Sequence, residues 1–250
     1  RALPGENGFD YAPMNWAKVT NKGVEFSLST VNVKTKDFRW VMDFNIAHNK
    51  SKINSIETPD NSYLPSGEGY SIGALFALKT AGLDENGIPM FWKDGQKVSF
   101  SDFYGLEVNH DLFGDATLSS KLSNQEYRDL FTYVGTSEPK FTGGLINRFY
   151  YKNFDLTISG SFIIDQTVLE TPFYDPSQTS PGQNYSKRMF DVWSSSNPNG
   201  KYPALLGKTM EDGSLNMAQQ WISLKDPGNS FRNYDIWFKQ MSYFRVNSIR

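Results

Sequence analysis

Strict alternation of apolar and polar residues, sustained for longer than an ordinary strand, most limits how this chain folds. From Val24 the residues Val24, Phe26 and Leu28 share one side, and Glu25, Ser27 and Ser29 the other. In "FRWVMDFNIAHNK" (38–50), Trp40, Met42, Phe44 and Ile46 oppose Arg39, Asp43, Asn45 and Asn49. Period two means a strand with two different faces. "KTKD" (34–37) joins the two runs, so 23–50 reads as a tight hairpin, with Asn21, Lys22 and Gly23 as turn chemistry ahead of it. A second hairpin spans 143–164 and turns at Lys152-Asn153. Its second arm sets Phe154, Leu156, Ile158, Gly160, Phe162 and Ile164 against Asp155, Thr157, Ser159 and Ser161. A last strand is expected over 239–250.

These runs are eleven to thirteen residues long. Soluble strands are mostly about five or six residues, and membrane-spanning strands roughly nine to eleven. Aromatic residues make up 15% of the chain, yet mean hydropathy is −0.51. Two architectures combine these properties: a soluble β-sandwich, and a transmembrane β-barrel with an apolar outside and a polar lumen. Length and alternation leave both open. Loop asymmetry favours the barrel. The hairpin turns are short, whereas 51–69, 79–140 and 166–238 are long and rich in Asn, Asp, Ser, Gly and Pro. If "YSIGALFALK" (70–79) also crosses, strand parity demands a further crossing before residue 142, for which 127–134 is the candidate. Short helical patterns are expected within the loops, as at 184–193.

Few residues suggest chemistry. The chain has no cysteine, which removes disulfides, thiolate catalysis and Cys-type zinc sites. The net charge of −2 offers no general attraction to nucleic acid. His48 and His110 have no partner at ligand spacing, and no metal or other cofactor is expected. "LDENG" (83–87) lacks the regular oxygens of a calcium loop and reads as a turn. No nucleophile elbow, phosphate loop or dinucleotide fingerprint is present, so no enzyme and no catalytic residue is expected. Aromatic residues in polar loops are the candidate contacts for cargo or a partner: Phe91, Trp92, Phe173, Tyr174, Trp193 and Tyr202. The competing reading, favoured about two to one, is that these rings pin long loops together.

Several words then occur in a telling order. They are "NKGVEFSLS", "DFRWVMDFNIAHNKSKI", "GEGYSIGALFALKTAGLDENGIPMF" and "YVGTSEPKFTGGLINRFYYKNFDLTISGSF". "FDVWSSSNPNGKYPAL" and "MSYFRVNSIR" follow. Together they resemble the C-terminal barrel of the SusC/RagA family of TonB-dependent outer-membrane transporters of Bacteroidetes. The resemblance implies that residues 1–250 are part of an antiparallel transmembrane barrel of about 22 strands with long extracellular loops. The plug and TonB box would lie outside this chain, and the first residue, Arg1, fits a piece of a longer protein. Asn21-Lys22-Gly23 would then mark a rim of the barrel. The implied function is import of oligosaccharides or peptides, with a SusD-like surface lipoprotein and TonB as partners and outer-membrane lipid as the surroundings. The Asp/Asn/Gly-rich segment that family members often carry is replaced by "FYGLEVNHDLFGDATLSS" (103–120). Two alternatives stand beside this: a secreted glycan-binding β-sandwich, and a passive porin.

Overall fold

The computed structural model describes residues 17–57, 65–110, 116–178, 182–224 and 230–250. In chain order, β1 is Ala17–Lys34, β2 Phe38–Ile56, β3 Ala74–Leu78, β4 Thr80–Leu83, β5 Pro89–Lys93 and β6 Gln96–Val98. Helix α1 (Phe100–Tyr104) precedes β7 (Leu106–His110) and β8 (Ala116–Ser120). Helix α2 (Asn124–Asp129) leads into β9 (Phe131–Thr136), β10 (Phe141–Tyr151) and β11 (Phe154–Leu169). Helix α3 (Met217–Leu224) and β12 (Phe238–Ile249) complete the set.

Five long strands make one antiparallel sheet in the order β1-β2-β10-β11-β12. Both tight turns lie at one end. The Lys152 amide donates to the Asp37 carbonyl at 3.0 Å, tying one turn to the other. Both long excursions, 57–140 and 170–237, leave from the opposite end. Because β2 pairs directly with β10, 70–79 does not cross beside them. Its β3 instead pairs with β9 in a separate two-stranded sheet, and the 127–134 candidate is divided between the end of α2 and the start of β9. The parity difficulty disappears, since everything between β2 and β10 is one loop excursion. The helical pattern at 184–193 becomes a short 3-10 turn over Lys187–Asp191.

One expected turn is corrected. Asn21, Lys22 and Gly23 lie inside β1, opposite Ser51, Lys50 and Asn49. The glycine answers a packing need, not a turn. A Cβ on Gly23 would sit 2.8 Å from the His48 carbonyl oxygen and 2.9 Å from Asn49 Oδ1. The first two strands therefore run to 18 and 19 residues, past the end of their apolar row.

The register carries the apolar row across the sheet. Leu28 faces Phe44, Phe44 faces Leu145, Leu145 faces Gly160, and Gly160 faces Val246. Val24 is 71% exposed, Phe26 55%, Phe154 79% and Phe244 56%, and no second sheet covers this face among the described residues. A β-sandwich would bury exactly these residues between layers, so the sandwich alternative is not the architecture. Among the described residues no helix is long and apolar enough to cross a membrane. The opposite face holds Ser29, Asn45, Ser159, Ser161 and an ion pair between Arg148 and Asp43.

Two glycines on the apolar face are covered by rings. A Cβ on Gly143 would meet Phe162 Cζ at 2.4 Å, and one on Gly160 would meet Phe244 Cζ at 2.2 Å. The rings lie over backbone that carries no side chain of its own, as aromatic residues do to support strand glycines. Asn147, the polar intruder in the row, accepts from Trp40 Nε1 at 2.9 Å, while Trp40 stacks on Phe149. We expect Gly143→Val and Gly160→Val each to destabilise the folded sheet by about 1–3 kcal/mol through overpacking. Gly207→Ala, whose Cβ meets nothing closer than 3.4 Å, should stay within about 0.5 kcal/mol of wild type. Denaturant unfolding of the full-length protein in detergent, followed by heat-modifiable gel mobility, measures both.

Candidate functional site

Two surfaces are placed where they can act: the polar wall of the sheet and the cap built by the long loops. On the wall, Gly144 has no side chain to fill the space beside Asn45. This leaves a groove of about 590 Å³ edged by Ser27, Ser29, Asp43, Asn45, Ser159 and Ser161. Hydroxyls, the amides of Asn45 and Asn247 and the Asp43 carboxylate give it polar groups for a solute or water, beside apolar lining from Leu28, Phe44, Leu145 and Ile146.

The cap has an aromatic core contributed by both excursions. Phe91, fully buried, stacks on Phe103 at 4.2 Å and meets Tyr104 and Tyr234 edge-on. Trp237 is likewise fully buried and donates its indole N–H to the Phe231 carbonyl at 2.9 Å. The excursions are also joined by polar contacts: Asp235 Oδ1 accepts from the Thr80 amide at 3.1 Å and the Thr80 hydroxyl at 2.6 Å. Gly87 is a tight point between them, since a Cβ there would lie 2.6 Å from the Trp193 ring. "LDENG" is a turn, with Asp84 Oδ1 accepting from the amides of Asn86 and Ile88, each at 2.8 Å.

A charged joint fixes the second excursion to the sheet. The Arg188 guanidinium lies 4.5 Å from the Phe173 ring centre and 5.2 Å from that of Tyr202. It donates to Glu170 at 2.5 Å and to the Tyr202 hydroxyl at 2.5 Å. Glu170, the first residue after β11, also pairs with Lys239 near the start of β12. Hydrogen bonding from Lys239, and then from Arg188, holds the Glu170 carboxyl below its ordinary range against the opposing effect of burial. Hydrogen bonding to Tyr202 raises Arg188. Burial pushes the Tyr174 phenol up, and its hydroxyl donates to the Pro203 carbonyl at 2.6 Å.

Of the six loop aromatics, five are drawn inward. Phe91 and Tyr174 are buried, and Phe173, Trp193 and Tyr202 are packed against the same core. Burial leaves Phe91 and Tyr174 no free face for a ligand. Trp92, 45% exposed, still offers its ring to solvent. The Arg188–Glu170–Lys239 joint was not legible beforehand, because its members are far apart in sequence and carry no spacing signal. His48 donates from Nδ1 to the Lys140 carbonyl at 2.5 Å, a structural contact.

Two predictions follow from this geometry. Trp237→Ala should cost the cap about 3–5 kcal/mol. Limited proteolysis should then cut within 57–140 and 170–237 while the long strands stay protected. The second concerns acid. Because the folded Glu170 carboxyl titrates below its unfolded value, its stabilisation is complete above the ordinary glutamate pKa of about 4.3. It is lost as pH falls through the lower folded value. Protease sensitivity of 170–237 should therefore rise below about pH 4, and Glu170→Gln should be sensitive already at neutral pH.

No protein-family profile matches the chain. Curated relatives do. TonB-dependent receptor P3 of Formosa agariphila is 26% identical over 221 residues, 81% of this chain and 20% of that protein. TonB-dependent receptor P26 of the same organism is 28% identical over 171 residues, 62% of this chain and 16% of that protein. The chain thus spans about a fifth of the length of the relatives it matches. A solved structure of the RagAB peptide transporter superposes with a TM-score of 0.62 at 19% identity, over 99% of this chain and 24% of the solved one. That likeness shows the fold: a one-layer sheet, apolar on one side and polar on the other, with tight turns at one end and packed loops at the other. Sequence and architecture agree: the chain is similar in sequence to a stretch of TonB-dependent receptors of the bacterial outer membrane and in fold to the RagAB transporter.

Proposed function

We propose that the whole protein is a TonB-dependent nutrient importer that takes up oligosaccharides or peptides with a SusD-like surface lipoprotein. The observation that carries this reading is the polarity of the molecule. A two-faced wall ends on one side in tight turns and on the other in a large cap of buried aromatic residues. A wall needs only short connections, so a cap of this size is built for work outside the membrane.

In this reading residues 1–250 are one part of a C-terminal barrel of about 22 strands, the plug-bearing class. β1 and β12, the edges of the five-stranded sheet, pair with further strands, since an open edge is not tolerated in lipid. The plug and the TonB box belong to the remainder of the protein. The polar groove at Gly144 faces the lumen, and the cap forms the mouth. No covalent chemistry is assigned to this part. Among the loop aromatics Trp92 is the remaining contact candidate for cargo or lipoprotein. Phe91, Phe173, Tyr174, Trp193 and Tyr202 act by holding the mouth in shape.

The test uses the native host. Deleting the gene and deleting TonB should each abolish growth on the same oligosaccharide or peptide source, and the purified protein should bring a surface lipoprotein with it. A passive porin would leave growth intact without TonB. Trp92→Ala should weaken cargo or lipoprotein capture by about 1–3 kcal/mol if the ring is a contact, with cap proteolysis unchanged.

A further inference from the structure

β1 and β2 continue beyond the apolar row, and what they carry there is charge. On β1 the row Leu28, Phe26, Val24 continues into Lys22, Thr20 and Lys18. On β2 the row Trp40, Met42, Phe44, Ile46 continues through His48 into Lys50 and Lys52. Alternation puts all four lysines on the outward, apolar side of the wall. Each step of two residues is about 7 Å along the strand. Lys22 therefore lies one step past Val24, at the level where lipid tails give way to headgroups, on the side of the long loops.

The register makes the arrangement costly on its own. Lys22 stands directly opposite Lys50, and Thr20 directly opposite Lys52. Like charges facing each other across a strand pair destabilise it. All four lysines are exposed. Among the described residues none of them forms an ion pair with a carboxylate. An anion placed beside them would relieve that repulsion.

A receptacle adjoins them. Between the outer part of β2 and the β3–β9 pair lies a cleft of about 980 Å³ whose lining includes Lys50, Lys52 and Lys140. Tyr70 and Tyr133, 42% and 46% exposed, stack at 4.8 Å on its wall. Two acids also line it. Glu138 is occupied, accepting from Ser51 Oγ with both oxygens at 2.7 and 2.8 Å; Asp165 is the other. Lysines with amphipathic rings, directly above an apolar band, are the chemistry of a membrane interface.

We propose that this patch binds the phosphate-bearing headgroup of a glycolipid in the outer leaflet, with Lys22, Lys50 and Lys52 on the phosphate and the Tyr70–Tyr133 pair beside the sugar. A lipid is the occupant, rather than a soluble acidic protein, because the patch is continuous with the lipid-facing row. The proposal rests on the chain's place in the outer-membrane wall and not on what the protein imports.

The experiment uses the full-length protein in nanodiscs. Retention of bisphosphorylated lipid A, of the same lipid dephosphorylated, and of inorganic phosphate is read by native mass spectrometry. The wild type should retain the phosphorylated lipid and lose most of it once the phosphates are removed. Lys22→Gln, Lys50→Gln and Lys52→Gln combined should weaken retention by roughly fivefold per lysine. Lys201→Gln, in the second excursion, should change nothing. Equal retention of both lipids by the wild type would overturn the proposal even if the triple variant failed to fold. So would a folded triple variant with undiminished retention, or displacement of the lipid by millimolar free phosphate. Cargo uptake measured in parallel separates this outcome from the importer reading, which survives the loss of the lipid site.

Discussion

Lipid offers no hydrogen bonds, so every backbone amide and carbonyl within the membrane must find its partner inside the protein. The five-stranded sheet meets that demand with continuous antiparallel ladders from β1 to β12. The same demand explains the glycines. Where the Phe162 and Phe244 rings reach over the neighbouring strand, that strand has no side chain, at Gly143 and Gly160. Paired backbone and apolar surface are thus obtained together, and the register shifts at Ser159/Gly160 and Ile163/Gln166 are accommodated within the β11–β12 ladder.

Beyond the membrane the constraint is reversed. The excursions have abundant water for their backbones but no lipid to hold them in place. They make a core of their own, in which Phe91, Tyr104, Tyr234 and Trp237 are fully buried. Arg188 then links that core to the sheet. Its planar cation stacks on two rings and bonds a carboxylate and a phenol at once, geometry that a lysine ammonium does not reproduce. Long loops keep a defined shape by this means, and Trp92 is among the side chains that remain outside.

Much of the wall was legible in the sequence. Alternation located both hairpins, the final strand and the two faces, because period two is a local property of a pleated chain. The resemblance to SusC/RagA barrels rested on ordered words, and relatives from Formosa agariphila agree with it. The misreading at Asn21-Lys22-Gly23 has a physical cause. Glycine beside asparagine signals a turn when only neighbours in sequence are considered, yet here glycine is required by the approach of β2. The loop aromatics were recognisable as a group, but composition does not distinguish a ring that faces cargo from one that faces another ring.

The sequence by itself determined the two-faced strands, their tight turns and the apolar row, since each depends only on residues two to four positions apart. Tertiary structure alone decided which strand lies beside which, that 70–79 stays in the loops, and that Arg188 reaches Glu170. It also decided that Lys22 faces Lys50. Those relations join residues 18 or more positions apart, and they exist only once register and loop packing bring the partners together.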